Sequence, residues 1–306
     1  MANDKGVGSG AGNRTERALK PSACHLPPIP LQKTLLSTPD HLFLIAGSGR
    51  YPSLVVEGAR AAGVKSITIV AFTGETEEAT AALADDVHWL KVGQLGGLLS
   101  AAKKSGAKHA MMAGQLAPKN LFDLRPDLRA LIILATLKRR NAETLFGEVA
   151  RQLDKVGVEL LNATTFLEAH IASAGPLAGP KLKARHLEDL KYGFEIAKET
   201  SRLDIGQTVV VRNGTVLAVE AFEGTNECIK RGGSLGRDGG VMVKVTKPKQ
   251  DMRFDVPVIG EATVEVAKAA KIKIIGVEAN CTLLLDKPKV CAAAEAAGIT
   301  LYGISA

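Results

Sequence analysis

From His41 onward the chain alternates short, almost unbroken apolar runs with stretches of helical spacing, and glycines punctuate the changes. HLFLIAGSG predicts a buried strand over Leu42–Ala46 that runs into a glycine turn. PSLVVEGARAAG follows, with Leu54, Val55, Ala59 and Ala62 on one helical stripe and Gly63 as its stop. VKSITIVAF is rich in β-branched residues and predicts a second strand. EEATAALADD reads as a short helix, VHWLKVG as a third strand, GGLLSAAKKSG as a helix and KHAMMAGQL as a fourth strand. Strands alternating with helices over short glycine connections predict a parallel sheet with crossover helices. DLRALIILATLKRR, with Pro126 suited to its first turn, and AETLFGEVARQLDKVG, ending at Gly157, are further helices, and VELLNATTFL is a strand and turn. Residues 41–172 therefore read as a Rossmann-like α/β domain.

The Gly/Pro-rich stretch SAGPLAGPKLK (173–183) reads as a linker, and the texture changes after it. HLEDLKYGFEIAKETSRLD is helical. QTVVVRNGTVLAVEA is a hairpin, because Asn213-Gly214 sits between alternating β-branched residues. GGVMVKVTKP, IKIIGVEANCTLLLD and ITLYGIS supply strands, and TVEVAKAAK and PKVCAAAEAAG supply helices. The second domain, 184–306, is expected to be α+β with mixed pairing and to carry the catalysis. Residues 1–40 hold five of the 13 prolines and no apolar periodicity, and are expected to be a disordered extension.

Composition narrows the classes. With 46% hydrophobic and 23% charged residues in 306, the chain is ordinary globular protein with room for about two domains. A formal charge of +7 favours anionic partners, but 4% aromatics supplies few stacking platforms, so nucleic acid is not expected. Four cysteines without a CxxC pair argue against a disulfide framework or structural zinc, and fit a reducing cytoplasm. No apolar run reaches the length of a membrane span, and the first residues lack the apolar core of a signal peptide.

Two sets of residues carry candidate chemistry. The first is the glycine turns at strand ends: Gly47-Ser48-Gly49, Gly93-Gln94 within Val92–Gly96, and Gly114-Gln115. Strand C-terminal edges of an open parallel sheet line one crevice, so these turns are candidate substrate-binding donors. The alternative is short loops that merely need positive φ. A nicotinamide fingerprint is absent, since Pro52 stands where the third glycine belongs and the second strand leads into Phe72-Thr73-Gly74 without an acidic residue.

The second set is the run Lys244–Pro257, where Lys244, Lys247, Lys249, Arg253, Asp251 and Asp255 fall within twelve residues beside Gln250. In an extended segment Asp251, Arg253 and Asp255 share a side. Such a group suits a divalent metal and a phosphate together, with the lysines neutralising a pyrophosphate; a solvated loop is the alternative. Upstream, Glu220–Glu227 offers Glu223 as a second ligand or Thr225 as a helix N-cap. The six histidines are scattered, with His88 and His109 expected to be structural, and no Ser-His-Asp or Cys-His set can be assembled locally.

The order IAGSGRYPSLVVEGAR, KVGQLGGLLSAAKKSGAKHAMMAG, DLRPDLRAL, DIGQTVVVRNGTVLAVEAFEGTN, GGVMVKVTKPKQDMRFDVPVIG and GVEAN resembles the LpxI family of UDP-2,3-diacylglucosamine pyrophosphatases over about 41–305. The resemblance implies a Rossmann-like N-terminal domain, a distinct C-terminal domain and a lipid nucleotide held between them. It implies Mg²⁺- or Mn²⁺-dependent hydrolysis to UMP and 2,3-diacylglucosamine 1-phosphate in lipid A biosynthesis. The family's essential aspartate corresponds to Asp251, four residues before Asp255, with substrate contacts expected at Thr225, Lys244, Lys247, Gln250 and Arg253. Asn226 stands where the family pattern has an aspartate, which leaves Glu223 or Glu227 as a second metal ligand beside Asp251. The acyl chains need an apolar cleft, for which the face of LRALIILATL is a candidate and a core helix the favoured alternative. The expected partners are the lipid-linked UDP-sugar and, peripherally, an anionic inner-membrane surface, with a homodimer allowed. The rival readings are a Rossmann oxidoreductase and a nucleotide or nucleotide-sugar binding protein without hydrolase activity.

Overall fold

The computed structural model describes residues 37–116, 126–137, 142–248 and 250–305. The first 36 residues, Lys249, and Lys138 to Arg140 lie outside the described residues, and so does the greater part of the expected extension.

In the N-terminal half the elements run β1 (His41–Ala46), α1 (Arg50–Ala61), β2 (Ser66–Phe72), α2 (Glu78–Ala81), β3 (Asp86–Leu90), α3 (Leu95–Ser105), β4 (His109–Ala113), α4 (Leu128–Thr136), α5 (Ala142–Lys155) and β5 (Glu159–Leu160). The strands form one parallel sheet in the order β3-β2-β1-β4-β5. Its faces explain the unbroken apolar runs. Phe43, Ile45, Val70 and Phe72 pack with Leu98, Leu99 and Leu153 from α3 and α5 on one side, while Leu42, Leu44, Ile67 and Ile69 on the alternate positions are fully buried too. A strand covered on both faces has no polar side to alternate with.

After a short 3₁₀ turn (Glu168–His170) the second half runs β6 (Gly175–Ala178), α6 (Ala184–Arg202), β7 (Thr208–Arg212), β8 (Thr215–Val219), α7 (Thr225–Gly236), β9 (Gly240–Lys244), β10 (Val258–Ile259), α8 (Glu261–Ala269), β11 (Ile272–Glu278), β12 (Leu283–Leu284), α9 (Lys287–Ala296) and β13 (Thr300–Ile304). Its six-stranded sheet is ordered β6-β13-β11-β9-β7-β8, and β10 pairs with β12 separately. The strands β9, β11 and β13 are parallel, while β6 and β7 run against their neighbours. The mixed α+β reading therefore holds. The Asn213-Gly214 turn is present, with φ of 49° and 69°, as a two-residue hairpin of this kind requires.

The stretch read as a linker is corrected in part: residues 175–178 are an edge strand of the C-terminal sheet. Close backbone approach, not slack, explains Gly179 in this stretch and Gly303 on the facing strand β13. A Cβ on Gly179 would sit 2.0 Å from Ile299 O, and one on Gly303 would sit 1.9 Å from Ser173 O. Pro176 is tolerated because the strand is at an edge.

The halves touch through specific contacts. Ala163 N donates to Met252 O at 2.9 Å, and Lys287 N donates to His170 Nδ1 at 3.1 Å. The Phe146 and Phe254 rings lie 6.0 Å apart at 40°. The 250–257 loop thus packs on α5 of the N-terminal half.

Candidate active site

Lys244 closes β9, paired across to Thr208 of β7 and to Val277 of β11. Its Nζ donates to Val258 O at 3.2 Å and to Thr225 Oγ1 at 3.4 Å, and Thr225 Oγ1 in turn donates to Glu220 Oε1 at 2.8 Å. Burial pushes the Lys244 pKa down, while the charges of Glu220 and Asp255 work to hold it up. Thr208 Oγ1 on the neighbouring strand β7 and Glu220 Oε2 just past the end of β8 are buried with no hydrogen-bond partner among the described residues. The result is a buried cation at the C-terminal edge of the sheet, facing two carboxylates and surplus acceptor capacity.

Gly224, in a left-handed conformation (φ 81°), caps α7, so the N-cap reading of Thr225 is corrected. Thr225 is instead the first helical residue, and its hydroxyl links Glu220 to Lys244.

The loop beyond β9 is compact, which corrects the extended reading of 251–255. Asp255 N donates to Asp251 O at 2.9 Å and Phe254 N to Asp251 O at 3.2 Å, closing a helical turn. The turn is seeded by Asp251 itself, whose Oδ1 accepts from Arg253 N at 3.1 Å. Arg253 then grips the same carboxylate, Nε to Oδ1 at 2.9 Å and Nη2 to Oδ2 at 2.7 Å. That guanidinium holds the Asp251 carboxyl below the usual carboxylate range. Gln250 is spent on the loop: its Oε1 accepts from Lys247 N at 2.8 Å and its Nε2 meets Gln207 Oε1 at 3.4 Å. Lys247 Nζ donates to Asp204 Oδ1 at 3.0 Å; burial opposes its charge, but Asp204, Asp255 and Glu143 together hold its pKa above the ordinary lysine value.

A second buried group was not legible beforehand. Glu278, at the end of β11, receives Lys198 Nζ of α6 at 2.9 and 3.0 Å, Thr246 N at 2.7 Å and Thr246 Oγ1 at 2.5 Å. Only the GVEAN string pointed to it, without a partner. It sits one strand from Lys244 and fixes Thr246, two residues on.

The glycine turns fare differently. Gly47–Gly49 and Gly114 come together, because β1 and β4 are neighbours, while Gly93 and Gln94 lie beyond β3, two strands away from β1. Ser48 N donates to Gln115 O at 2.8 Å and Gln115 N to Ser48 O at 3.1 Å, so the two turns are zipped. A Cβ on Gly47 would lie 2.5 Å from Gln115 O. Internal carboxylates already occupy helix-start donors here. Gly49 N donates to Glu77 Oε1 at 2.9 Å, and Gly96 N donates to Asp127 Oδ2 at 2.6 Å. Gln94 accepts from Lys91 N at 2.8 Å.

For a divalent cation the donor set is sparse. Among the described residues no group of three or more His, Cys, Asp or Glu side chains is placed to hold a metal. Asp251 meets the lesser demand of Mg²⁺, which takes one or two carboxylates plus phosphate oxygens, since an ionised carboxylate keeps lone pairs beyond those Arg253 uses. Glu223 is committed elsewhere, accepting from Arg231 Nη2 at 2.5 Å. Cysteine chemistry is disfavoured: burial pushes the Cys228 thiol up to about 12.

Comparison with known families decides what this arrangement belongs to. The LpxI N-terminal domain model matches residues 41–170 and the LpxI C-terminal domain model matches residues 173–302. The chain belongs to the LpxI family. It is 33% identical over 224 residues, 70% of this chain and 80% of the relative, to UDP-2,3-diacylglucosamine pyrophosphatase LpxI of Caulobacter vibrioides. Among solved structures, the biotin carboxylase domain of a single-chain bacterial carboxylase is 16% identical at a TM-score of 0.25, over 56% of this chain and 36% of that one. Biotin carboxylase of Campylobacter jejuni is 12% identical at a TM-score of 0.24, over 64% of this chain and 42% of that one. The chain spans less than half of those proteins, and likenesses at such TM-scores carry no argument. Within the LpxI frame, the C-terminal match begins at residue 173, ahead of β6, in keeping with that strand's place in the C-terminal sheet.

Proposed function

We propose that this chain hydrolyses the pyrophosphate of UDP-2,3-diacylglucosamine to UMP and 2,3-diacylglucosamine 1-phosphate, a step of lipid A biosynthesis. The observation that carries this reading is the match of both halves to LpxI domain models, together with a relative named for that activity. The 244–255 segment supplies chemistry that suits it.

A pyrophosphate diester carries about two negative charges, which must be offset before water can approach phosphorus. Lys244, buried and backed by Glu220 through Thr225, is a preorganised cation for that purpose. Lys247 and Arg253 border the same loop, each now held by an aspartate that an anionic substrate would compete with. Asp251, kept ionised by Arg253, is a poor proton acceptor but a good hydrogen-bond acceptor, so its role is to orient the attacking water. Asp255, whose charge is felt by both Lys244 and Lys247, is the second candidate for that role. A divalent Mg²⁺ or Mn²⁺ ion held by Asp251 and the substrate phosphates would add charge neutralisation. The turns at Gly47–Gly49, Gly93–Gln94 and Gly114 are assigned to uridine rather than phosphate, because Glu77 and Asp127 already hold helix-start donors there.

The test is UMP release from UDP-2,3-diacylglucosamine with Mg²⁺ or Mn²⁺ and again with EDTA. Release with metal and its loss in EDTA are expected. Wild-type protein that binds the substrate and never releases UMP would make the chain a binding protein instead.

A further inference from the structure

The core only half accepts α4: Ala130 is buried and Ile133 packs on the N-terminal core, but Leu128, Leu131 and Ile132 are 74%, 50% and 59% exposed. That corrects the core-helix expectation for this segment. α1 is the opposite case. It buries Leu54, Val55, Val56 and Ala59 together with Tyr51, whose ring needs a partner for its hydroxyl. Tyr51 finds one outside the helix, where its Oη donates to Ala163 O at 2.5 Å. Burial pushes the phenol pKa up, so the hydroxyl stays a donor through the neutral range.

Ala163 passes the constraint on. Its N donates to Met252 O at 2.9 Å, and the other end of that Met252–Arg253 peptide is Arg253 N, which donates to Asp251 Oδ1 at 3.1 Å. The peptide is planar, so fixing its carbonyl fixes the direction of its N–H. An unbroken series of hydrogen bonds thus runs from the first turn of α1 to the Asp251 carboxylate. The turn in between is stiff. Asn162 Oδ1 accepts from Thr164 N at 2.9 Å and from Thr164 Oγ1 at 2.8 Å, and Thr165 N donates to Asn162 O at 3.0 Å. A Cβ on Gly58 would lie 2.2 Å from Phe166 O, so α1 sits directly on the backbone of this turn.

We propose that Tyr51 is a positioning residue, aiming the Asp251 carboxylate through Ala163 and the Met252–Arg253 peptide. The inference rests on the hydrolase reading for what Asp251 does, and on hydrogen bonds alone for how Tyr51 reaches it. A tyrosine of purely structural use would also need its hydroxyl satisfied. Its loss, however, would loosen the N-terminal sheet and leave the 250–257 loop of the other half as it was.

The experiment compares wild type with Tyr51→Phe, which keeps the ring and removes the hydroxyl, in UMP release and in hydrogen exchange below both melting temperatures. In the variant kcat is expected to fall about 3–10-fold with KM within about twofold, as suits one hydrogen bond lost behind Asp251. The amides of Arg253, Phe254 and Asp255 should exchange several-fold faster, with those of β1 and β4 unchanged. Should Tyr51→Phe melt early, Asn162→Ala, which slackens the turn between the two halves of the relay, carries the same comparison. Loop amides that exchange as in wild type would overturn the proposal, as would an unchanged kcat. Acceleration spread over the whole N-terminal sheet would overturn it too, leaving Tyr51 a core residue and nothing more. Exchange needs no turnover, so a wild type that forms no UMP ends the hydrolase reading while the loop amides still decide the link from Tyr51 to Asp251.

Discussion

Asp251 and Lys244 are both charged groups whose ionisation the fold has moved, and in each case the cause can be removed singly. Arg253 keeps Asp251 ionised below the ordinary carboxylate range, so activity that needs the carboxylate persists as pH falls until that lowered value is reached. Arg253→Gln should raise the Asp251 pKa and move the acid limb of the pH–rate profile upward; an unmoved limb would separate that limb from Asp251. The stability the pair contributes is present above the unfolded carboxyl value and is lost as pH falls through the folded one. With both partners about a third exposed it is worth less than about 1 kcal/mol. Burial lowers Lys244, so its ammonium is lost at a pH below that of an ordinary lysine. Glu220→Gln removes a charge that opposes this, and the alkaline limb should move further down. Lys244→Met strands Glu220 in the interior and should cost about 3 kcal/mol. Adding Glu220→Gln should restore most of that stability in denaturant titrations and none of the activity. At this scale the sequence showed the residue types of the 244–255 loop, since they lie within a dozen positions. It did not show Lys198 with Glu278, because those partners are 80 residues apart and nothing local marks either. Nor did it show Glu77 at Gly49, 28 residues away, where a phosphate was the natural expectation.

Among the elements, α7 decides how Thr225 meets Lys244, and glycine decides where α7 sits. A Cβ on Gly232 would fall 2.5 Å from Val210 Cβ, at the back of a β-branched side chain that cannot swing aside. Gly232→Ala should therefore cost about 1–3 kcal/mol in thermal or denaturant melts and raise KM by displacing the first turn of α7. A variant as stable and active as wild type would show that the helix rides higher on the sheet. The strands were legible because period and length agree for buried parallel strands, and the hairpin because Asn213-Gly214 admits few other structures. β6 was not, because Gly-Pro pairs mark loops and closely packed edge strands alike, and only the nearness of Ile299 and Ser173 tells them apart. α4 misled for a related reason. Hydropathy reports that LRALIILAT avoids water, not whether protein is there to cover it.

Over the whole molecule, a loop that belongs to the C-terminal half is packed on the N-terminal half, through Phe254 against Phe146 and Met252 O against Ala163 N. Asp251 is thus placed by both halves at once. Phe254→Ala should lower kcat by more than its melting temperature suggests, because the loop loses its anchor while both sheets keep their cores; proportionate loss of both would make the ring merely structural. The division into two halves could be read from texture, but their seam could not, since it is built from single residues between distant segments. The role of Asp251 is most directly tested by comparing wild type with Asp251→Ala for binding of UDP-2,3-diacylglucosamine and for its conversion to UMP and 2,3-diacylglucosamine 1-phosphate in equal amounts. The variant is expected to bind the substrate nearly as well as wild type and to turn it over at least about 100-fold more slowly. Turnover by Asp251→Ala at the wild-type rate, or a wild type that forms no UMP, would contradict it.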